Sequence, residues 1–186
     1  MDFKQAQQVF QLLSYLLAYP DEKWAEGLRD CREILDHLTD ARIAESLKKF
    51  VEDAGKAEPD ERMKSYVNVF DFGRKTNMYM SYLSEGEQRE RGMALLYLKQ
   101  VYQNAGFQVT DKELPDYLPL ILEFSSRADE RFVRPIMQKY KRNISEIGSQ
   151  LTAMQSNYAV LFDVLDCVLE QICVDESPAE GMDSNV

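Results

Sequence analysis

The chain predicts an all-α, single-domain bundle of roughly eight helices. Three observations carry the helical reading. Apolar residues recur at intervals of three and four along almost the whole chain. Period-two alternation and Asn-Gly or Asp-Gly hairpin turns are missing, and no segment repeats. Asp residues ahead of the apolar runs, and Pro or Gly after them, mark starts and stops at helix-length intervals.

Phe3, Ala6, Phe10, Leu13 and Leu17 define the first stripe, widened by Val9, Leu12 and Leu16. Tyr19-Pro20 ends it, because a proline disfavours helical dihedrals in the residue before it. Asp21 then caps a second helix carrying Trp24, Leu28, Cys31, Leu35 and Leu38. Asp40 caps a third with Ala44, Leu47, Val51 and Ala54 inward, and Gly55 is its expected stop. After a polar linker over 55–60, Met63, Tyr66, Val67 and Phe70 share one face of a fourth helix that breaks near Gly73. Residues 76–84 read as one or two helical turns. A fifth helix is expected from Glu85 to Ala105, through Arg89, Met93, Leu96 and Val101, with Gly106 ending it. After a loop over 107–113, Pro115 is expected to open a sixth helix with Leu118, Ile121 and Leu122, and Asp116 to cap it. The seventh carries Phe132, Ile136, Ile144, Ile147, Leu151 and Met154; the eighth carries Leu161, Leu165, Val168 and Ile172. The helical domain is therefore read as residues 1–174. Residues 175–186 hold four acids, no base, Pro178 and Gly181, and read as a flexible acidic tail.

Composition narrows the function. With 186 residues, the chain is long enough to bury a core without disulfides or structural metals. Its net charge of -10 comes from 22 basic and 32 acidic residues, a balance opposed to nucleic acid and to anionic membranes as partners. A cationic or amphipathic partner segment fits it better. Cys31, Cys167 and Cys173 form neither a secreted disulfide framework nor a zinc-ligand pattern; they read as buried free thiols. The start, Met1-Asp2-Phe3-Lys4-Gln5, is not a signal peptide, and no apolar run approaches the ~18 residues that would span a membrane. The expected compartment is the cytoplasm.

Catalytic groupings are missing. His37 is the only histidine and sits at an expected helix end, which leaves no Ser-His or Cys-His pair and no two-histidine metal site. Gly86 and Gly92 bracket Glu-Gln-Arg-Glu-Arg without the Lys-Ser/Thr of a phosphate loop. The sequence therefore predicts a non-enzyme with no catalytic residue, no metal and no cofactor of its own.

Two segments stand out. In Tyr66-Val-Asn-Val-Phe70-Asp71-Phe72-Gly73-Arg74-Lys75-Thr76-Asn77-Met78-Tyr79-Met80-Ser81-Tyr82, aromatics and methionines crowd together. They suit a surface that grips apolar side chains, and they suit plain core filling as well. In Glu113-Leu114-Pro115-Asp116-Tyr117-Leu118-Pro119-Leu120-Ile121-Leu122-Glu123-Phe124, Asp116 and Tyr117 either cap a helix or face a groove and fix a partner's polar groups.

These segments, with Arg89-Glu-Arg91-Gly92-Met-Ala-Leu-Leu between them, resemble the nitrate reductase delta subunit, the NarJ-type molybdenum cofactor assembly chaperones of the wider TorD-like redox enzyme maturation family. The resemblance runs from about residue 5 to residue 172, and it is the ordered trio of motifs that is specific. It implies an all-helical chaperone that binds the N-terminal segment of the apo nitrate reductase catalytic (alpha) subunit. It also implies a hold on that subunit until its molybdopterin guanine dinucleotide cofactor is inserted. The chaperone itself stays out of the finished membrane enzyme. Tyr66 and Phe70 match the first motif, and Asp116 with Tyr117 the last. The wider family often reads Asp-His there, so any role needing an imidazole is lost in this chain. The expected client-binding set is Tyr66, Phe70, Asp71, Tyr79, Tyr82, Asp116, Tyr117 and Glu123, with Asp71, Asp116 and Glu123 as the acids that select basic client residues. A general helical scaffold and a molybdopterin carrier remain as alternatives, the second resting on Arg131, Arg134, Lys139, Lys141 and Arg142. A transient homodimer is left open.

Overall fold

A computed structural model of the chain describes residues 1–73, 75–84, 88–108, 110 and 112–173. Every named element among them is helical: α1 (Phe3–Leu16), α2 (Leu28–Leu35), α3 (Ala41–Lys56), α4 (Pro59–Tyr66), α5 (Met80–Ser84), α6 (Gln88–Asn104), α7 (Leu118–Ser125), α8 (Glu130–Ala153) and α9 (Ala159–Ile172). The short segment after residue 76 is thus a helix in its own right. The expected helix start at Glu85 and the tail over 175–186 lie outside the described residues.

Local chemistry explains most of the ends. Asp2, Asp40 and Asp129 cap α1, α3 and α8, each accepting a backbone N–H of the first turn. Asp21 does cap the next turn, accepting from Trp24 N, but that turn is a 3-10 helix over Trp24–Gly27 that leads into α2. Gly106 follows α6 with φ +85, where a side chain would be strained, and Phe107 N donates back to Tyr102 O at 2.9 Å. Gly55, the expected stop of α3, lies inside it; the helix runs to Lys56, and Ala57 is its C-cap.

Two boundaries depart from expectation. After Tyr66 the helix widens into a π turn over Val67–Asp71, and Phe72 N reaches back five residues to Val67 O at 3.2 Å. Pro115 does not open α7. Tyr117 is its N-cap residue, with extended dihedrals and Pro119 in the first turn, and Asp116 lies one residue outside.

The core runs along α1, α7, α8 and α9. α8 pairs along α9, and α1 lies against both α7 and α9. The inward residues of α1 (Val9, Phe10, Leu12, Leu13 and Leu16) and of α9 (Leu161, Phe162, Leu165 and Val168) are fully buried. Gly148 permits the α8–α9 approach: a Cβ there would stand 3.1 Å from Phe162 Cβ. Among the described residues no helix is long and apolar enough to cross a membrane, and no three His, Cys, Asp or Glu side chains converge as a metal site.

Candidate functional site

Two segments at the edges of α5 and α7 pair with each other through their backbones. Tyr79 and Tyr117 form an isolated antiparallel bridge, with Met80 N donating to Asp116 O at 2.9 Å and Leu118 N to Met78 O at 2.8 Å. This joins the two segments singled out in the sequence and sets their side chains against each other. The Tyr79 and Tyr117 rings lie 5.2 Å apart. The Tyr117 hydroxyl meets that of Tyr66 at 2.8 Å. The Leu17 carbonyl, 3.1 Å from Tyr66 Oη, can only accept, so Tyr66 donates to it and Tyr117 donates to Tyr66. Tyr79 donates to Glu113 Oε1 at 2.7 Å.

Behind this row lies a packed aromatic cluster. Tyr66 touches Phe70 at 4.9 Å between centroids, and Tyr158 packs edge-on to Phe70 at 5.0 Å. In front, Tyr19 stands edge-on to Tyr66 at 5.5 Å and is 47% exposed. The cluster therefore has a dry inner end at Tyr66, Phe70 and Tyr158 and a surface end at Tyr19. Asp71 and Phe72 are exposed beside it, Phe72 to 77%.

The expected site residues separate into three groups. Tyr66, Phe70, Tyr79 and Tyr117 come together, with Asp71 close enough that its charge acts on Tyr66 and Tyr117. Asp116 takes a different place from the one expected. It is fully buried, so as it stands its carboxylate does not line the rim. Its Oδ2 accepts from Ser81 N at 3.0 Å and from Ser81 Oγ at 2.5 Å, capping the first turn of α5 rather than α7. The bridge causes this: with Met80 pinned to Asp116 O, the Asp116 side chain reaches α5 before its own helix. Arg91 Nε donates to Ser81 Oγ at 3.4 Å, and Oδ1 of Asp116 is buried with no partner among the described residues. Tyr82 and Glu123 form no part of the ring cluster. Tyr82 is exposed under the Arg91 guanidinium at 5.7 Å. Glu123 is exposed on α7 beside Arg127 and lines a separate cavity of about 300 Å³ with Tyr102 and Phe107.

Sequence reading missed Tyr19, Tyr158 and Ser81 as members. Tyr158 is 92 positions from Tyr66, and nothing local marks it. Of the five basic residues considered as a cofactor pocket, three are ion-paired close by in sequence: Arg131 with Asp129, Arg134 with Glu130 and Arg142 with Glu146. They decorate α8 instead of converging.

Burial first, then the neighbouring Tyr117 hydroxyl and, more weakly, the Asp71 carboxylate, pushes the Tyr66 hydroxyl far above its ordinary value. Tyr79 is pushed up by burial and by Glu113, and Tyr117 by burial and the nearby Glu113 and Asp71 charges. All three stay neutral at physiological pH and offer rings and hydroxyls, not a base or a nucleophile. These rings and hydroxyls are groups that can bind a partner.

Comparison with known proteins identifies the family. Residues 21–163 match the profile of the nitrate reductase delta subunit family. A Bacillus subtilis protein named as a nitrate reductase molybdenum cofactor assembly chaperone, NarJ, is 45% identical over 177 residues, covering 95% of this chain and 96% of that protein. The Escherichia coli K12 chaperone of that name is 30% identical over 156 residues, covering 83% of this chain and 66% of its own length. The crystal structure of an Archaeoglobus fulgidus protein assigned as a redox enzyme maturation protein shares the fold, with a TM-score of 0.64 at 21% identity over 88% of this chain and 93% of that one. The chain belongs to the nitrate reductase delta subunit family, whose Bacillus subtilis and Escherichia coli relatives described above are named as assembly chaperones.

Proposed function

We propose that this protein is a cytoplasmic, system-specific chaperone that binds the N-terminal segment of the apo nitrate reductase catalytic subunit. It holds that subunit competent for molybdenum cofactor insertion before membrane assembly. The observation that carries the reading is the half-open aromatic cluster. Its inner rings Tyr66, Phe70 and Tyr158 pack together, with Tyr66 also hydrogen-bonded, while Tyr19 at its edge and Phe72, next to Asp71 in the chain, are exposed. Rigid aromatic anchors lose little entropy on binding, and an adjacent carboxylate selects a basic neighbour in the partner. An amphipathic client segment supplies both an apolar stripe and basic residues. The buried Asp116 enters this reading as a positioning residue, since it holds α5 and the bridge that orients Tyr79 and Tyr117.

Calorimetric titration with a synthetic peptide of the catalytic subunit's N-terminus, against a scrambled control, tests it. Selective micromolar binding is expected, and Phe72→Ala or Asp71→Asn should weaken it by roughly tenfold with the fold intact. A folded protein that ignores the native peptide sinks the N-terminal reading.

A further inference from the structure

The middle motif, Arg89-Glu-Arg91-Gly92-Met-Ala-Leu-Leu, plays no part in the aromatic cluster; it forms the first half of α6. Arg91 turns back toward α5, with Nε 3.4 Å from Ser81 Oγ and the guanidinium over the exposed Tyr82 ring. The rest of the helix divides into two faces. Ala94, Leu98 and Tyr102 are buried, while Met93, Leu96 and Tyr97 stand outward, 65%, 51% and 39% exposed. Leu96 and Tyr97 follow Met93 by three and four residues, so the three side chains share one side as a continuous apolar patch.

Gly92 lies on this side, one turn before Leu96. A glycine inside a helix is destabilising relative to alanine, and its use is to let another backbone come close. Gly148 does this within the bundle, where a Cβ would stand 3.1 Å from Phe162 Cβ. Gly92 is exposed, and among the described residues a Cβ there would meet nothing within 4 Å. No close approach among them accounts for it. A helix laid over the patch would use the gap as α9 uses Gly148.

Charge separates this surface from the aromatic one. Asp71 marks the aromatic end for a basic segment. On α6 no acid follows Glu90, and residues 91–110 hold Arg91 and Lys99 but no Asp or Glu, in a chain with 32 acids. A basic segment gains nothing there, whereas an apolar stripe flanked by carboxylates does. One helix face also falls well short of the ~800 Å² that each partner buries in a stable complex. That argues against a permanent dimer and suits a segment that is held and then released.

We infer that the outer face of α6 is a second client-docking surface, which takes an amphipathic helix of the catalytic subunit whose apolar stripe is flanked by Asp or Glu. A large apolar side chain of that helix enters the gap over Gly92 and packs on Met93 and Leu96. The inference rests on the chaperone reading above and adds to it a contact of opposite charge preference.

Gly92→Ala, Gly92→Leu and Leu96→Glu test it in the full chain, with circular dichroism to verify folding. The probe is an array of overlapping peptides covering the catalytic subunit, followed by calorimetry on each peptide captured. Besides the N-terminal segment, the intact chain is expected to capture apolar peptides flanked by acids, with affinity that falls as salt is added. Gly92→Leu and Leu96→Glu should each lose roughly tenfold or more for these. Gly92→Ala should raise the midpoint of thermal unfolding by about 2–4 °C and still weaken the same peptides, a split that a purely structural glycine would not produce. Wild-type affinity for every captured peptide in Gly92→Leu and Leu96→Glu overturns the α6 surface. Capture of the N-terminal peptide alone also overturns it and leaves the proposed function standing. Acid-flanked peptides captured and then lost in Leu96→Glu, with the N-terminal peptide ignored, keep the α6 surface and remove the N-terminal reading. A concentration-dependent dimer in sedimentation that Gly92→Leu dissolves gives the face to a second copy of this chain and overturns the client assignment.

Discussion

The seam of α1, α7, α8 and α9 and the stretch from α4 to α6 use apolar side chains in opposite ways. In the seam, Phe10, Leu13, Leu122, Ile144 and Phe162 are all sealed, and α8 and α9 approach closely enough that Gly148 is needed opposite Phe162. Between α4 and α6, large apolar residues are left outside. α6 packs through Ala94, Leu98 and Tyr102 but turns Met93, Leu96 and Tyr97 to solvent, and Phe72 and Tyr82 are exposed nearby. Polar ties hold this second region in place: Asp116 to Ser81, Asn143 Nδ2 to Met80 O at 2.8 Å, Thr76 to the Val69 carbonyl, and Tyr102 Oη to Pro115 O at 2.8 Å. A purely apolar surface collapses onto the nearest apolar surface. Directional bonds fix the backbone while leaving rings free to meet a partner.

The comparison breaks first in the seam. Phe162→Ala should cost about 3–5 kcal/mol in urea unfolding, through lost burial and the cavity left behind, whereas Leu96→Ala on the outer face of α6 should stay within about 0.5 kcal/mol. Equal costs would mean that the two regions are not built differently. Asp116→Ala comes next, at about 2 kcal/mol, because it strands the N–H and hydroxyl of Ser81 in the interior; Asp116→Asn, which keeps an acceptor, should cost about half as much. An Asp116→Ala protein of wild-type stability would remove the brace from the account.

The smallest effect is at alkaline pH. Unfolded tyrosines ionise near pH 10, while burial pushes Tyr158 up to about 12 and raises Tyr66 and Tyr102 as well. Above pH 10 the unfolded state has therefore released protons that the native state keeps. This contribution is complete below pH 10 and declines as pH rises through the folded values. Absorbance of tyrosinate followed from pH 9 to 12 should show these rings ionising late and together with loss of helix. Early ionisation of all tyrosines with the fold intact would contradict the sealed inner end of the cluster.

Much of this was legible in the amino-acid order. The stripes of α1, α3, α8 and α9 were readable because a helix repeats its inward face every three or four residues, and the Asp caps because each acts on backbone two or three residues away. The motif residues Tyr66, Phe70, Tyr79 and Tyr117 were readable as a set and do meet. The π turn after Tyr66 was not, since its five-residue hydrogen bond leaves the apolar spacing nearly unchanged. The start of α7 was misplaced because Pro115-Asp116 fits a helix opening on local grounds.

What the sequence determined by itself is local: the helical class, most helix ends, the acidic balance and the lack of a catalytic set. The tertiary structure alone decided where the polar groups went. It sent the Asp116 carboxylate to α5 instead of the rim, set Tyr158 beside Tyr66 from 92 positions away, and enclosed Arg62 with two donors unmatched. Periodicity encodes which face of a helix turns inward. It does not encode which distant hydrogen-bond partner waits there, because that depends on how the helices cross.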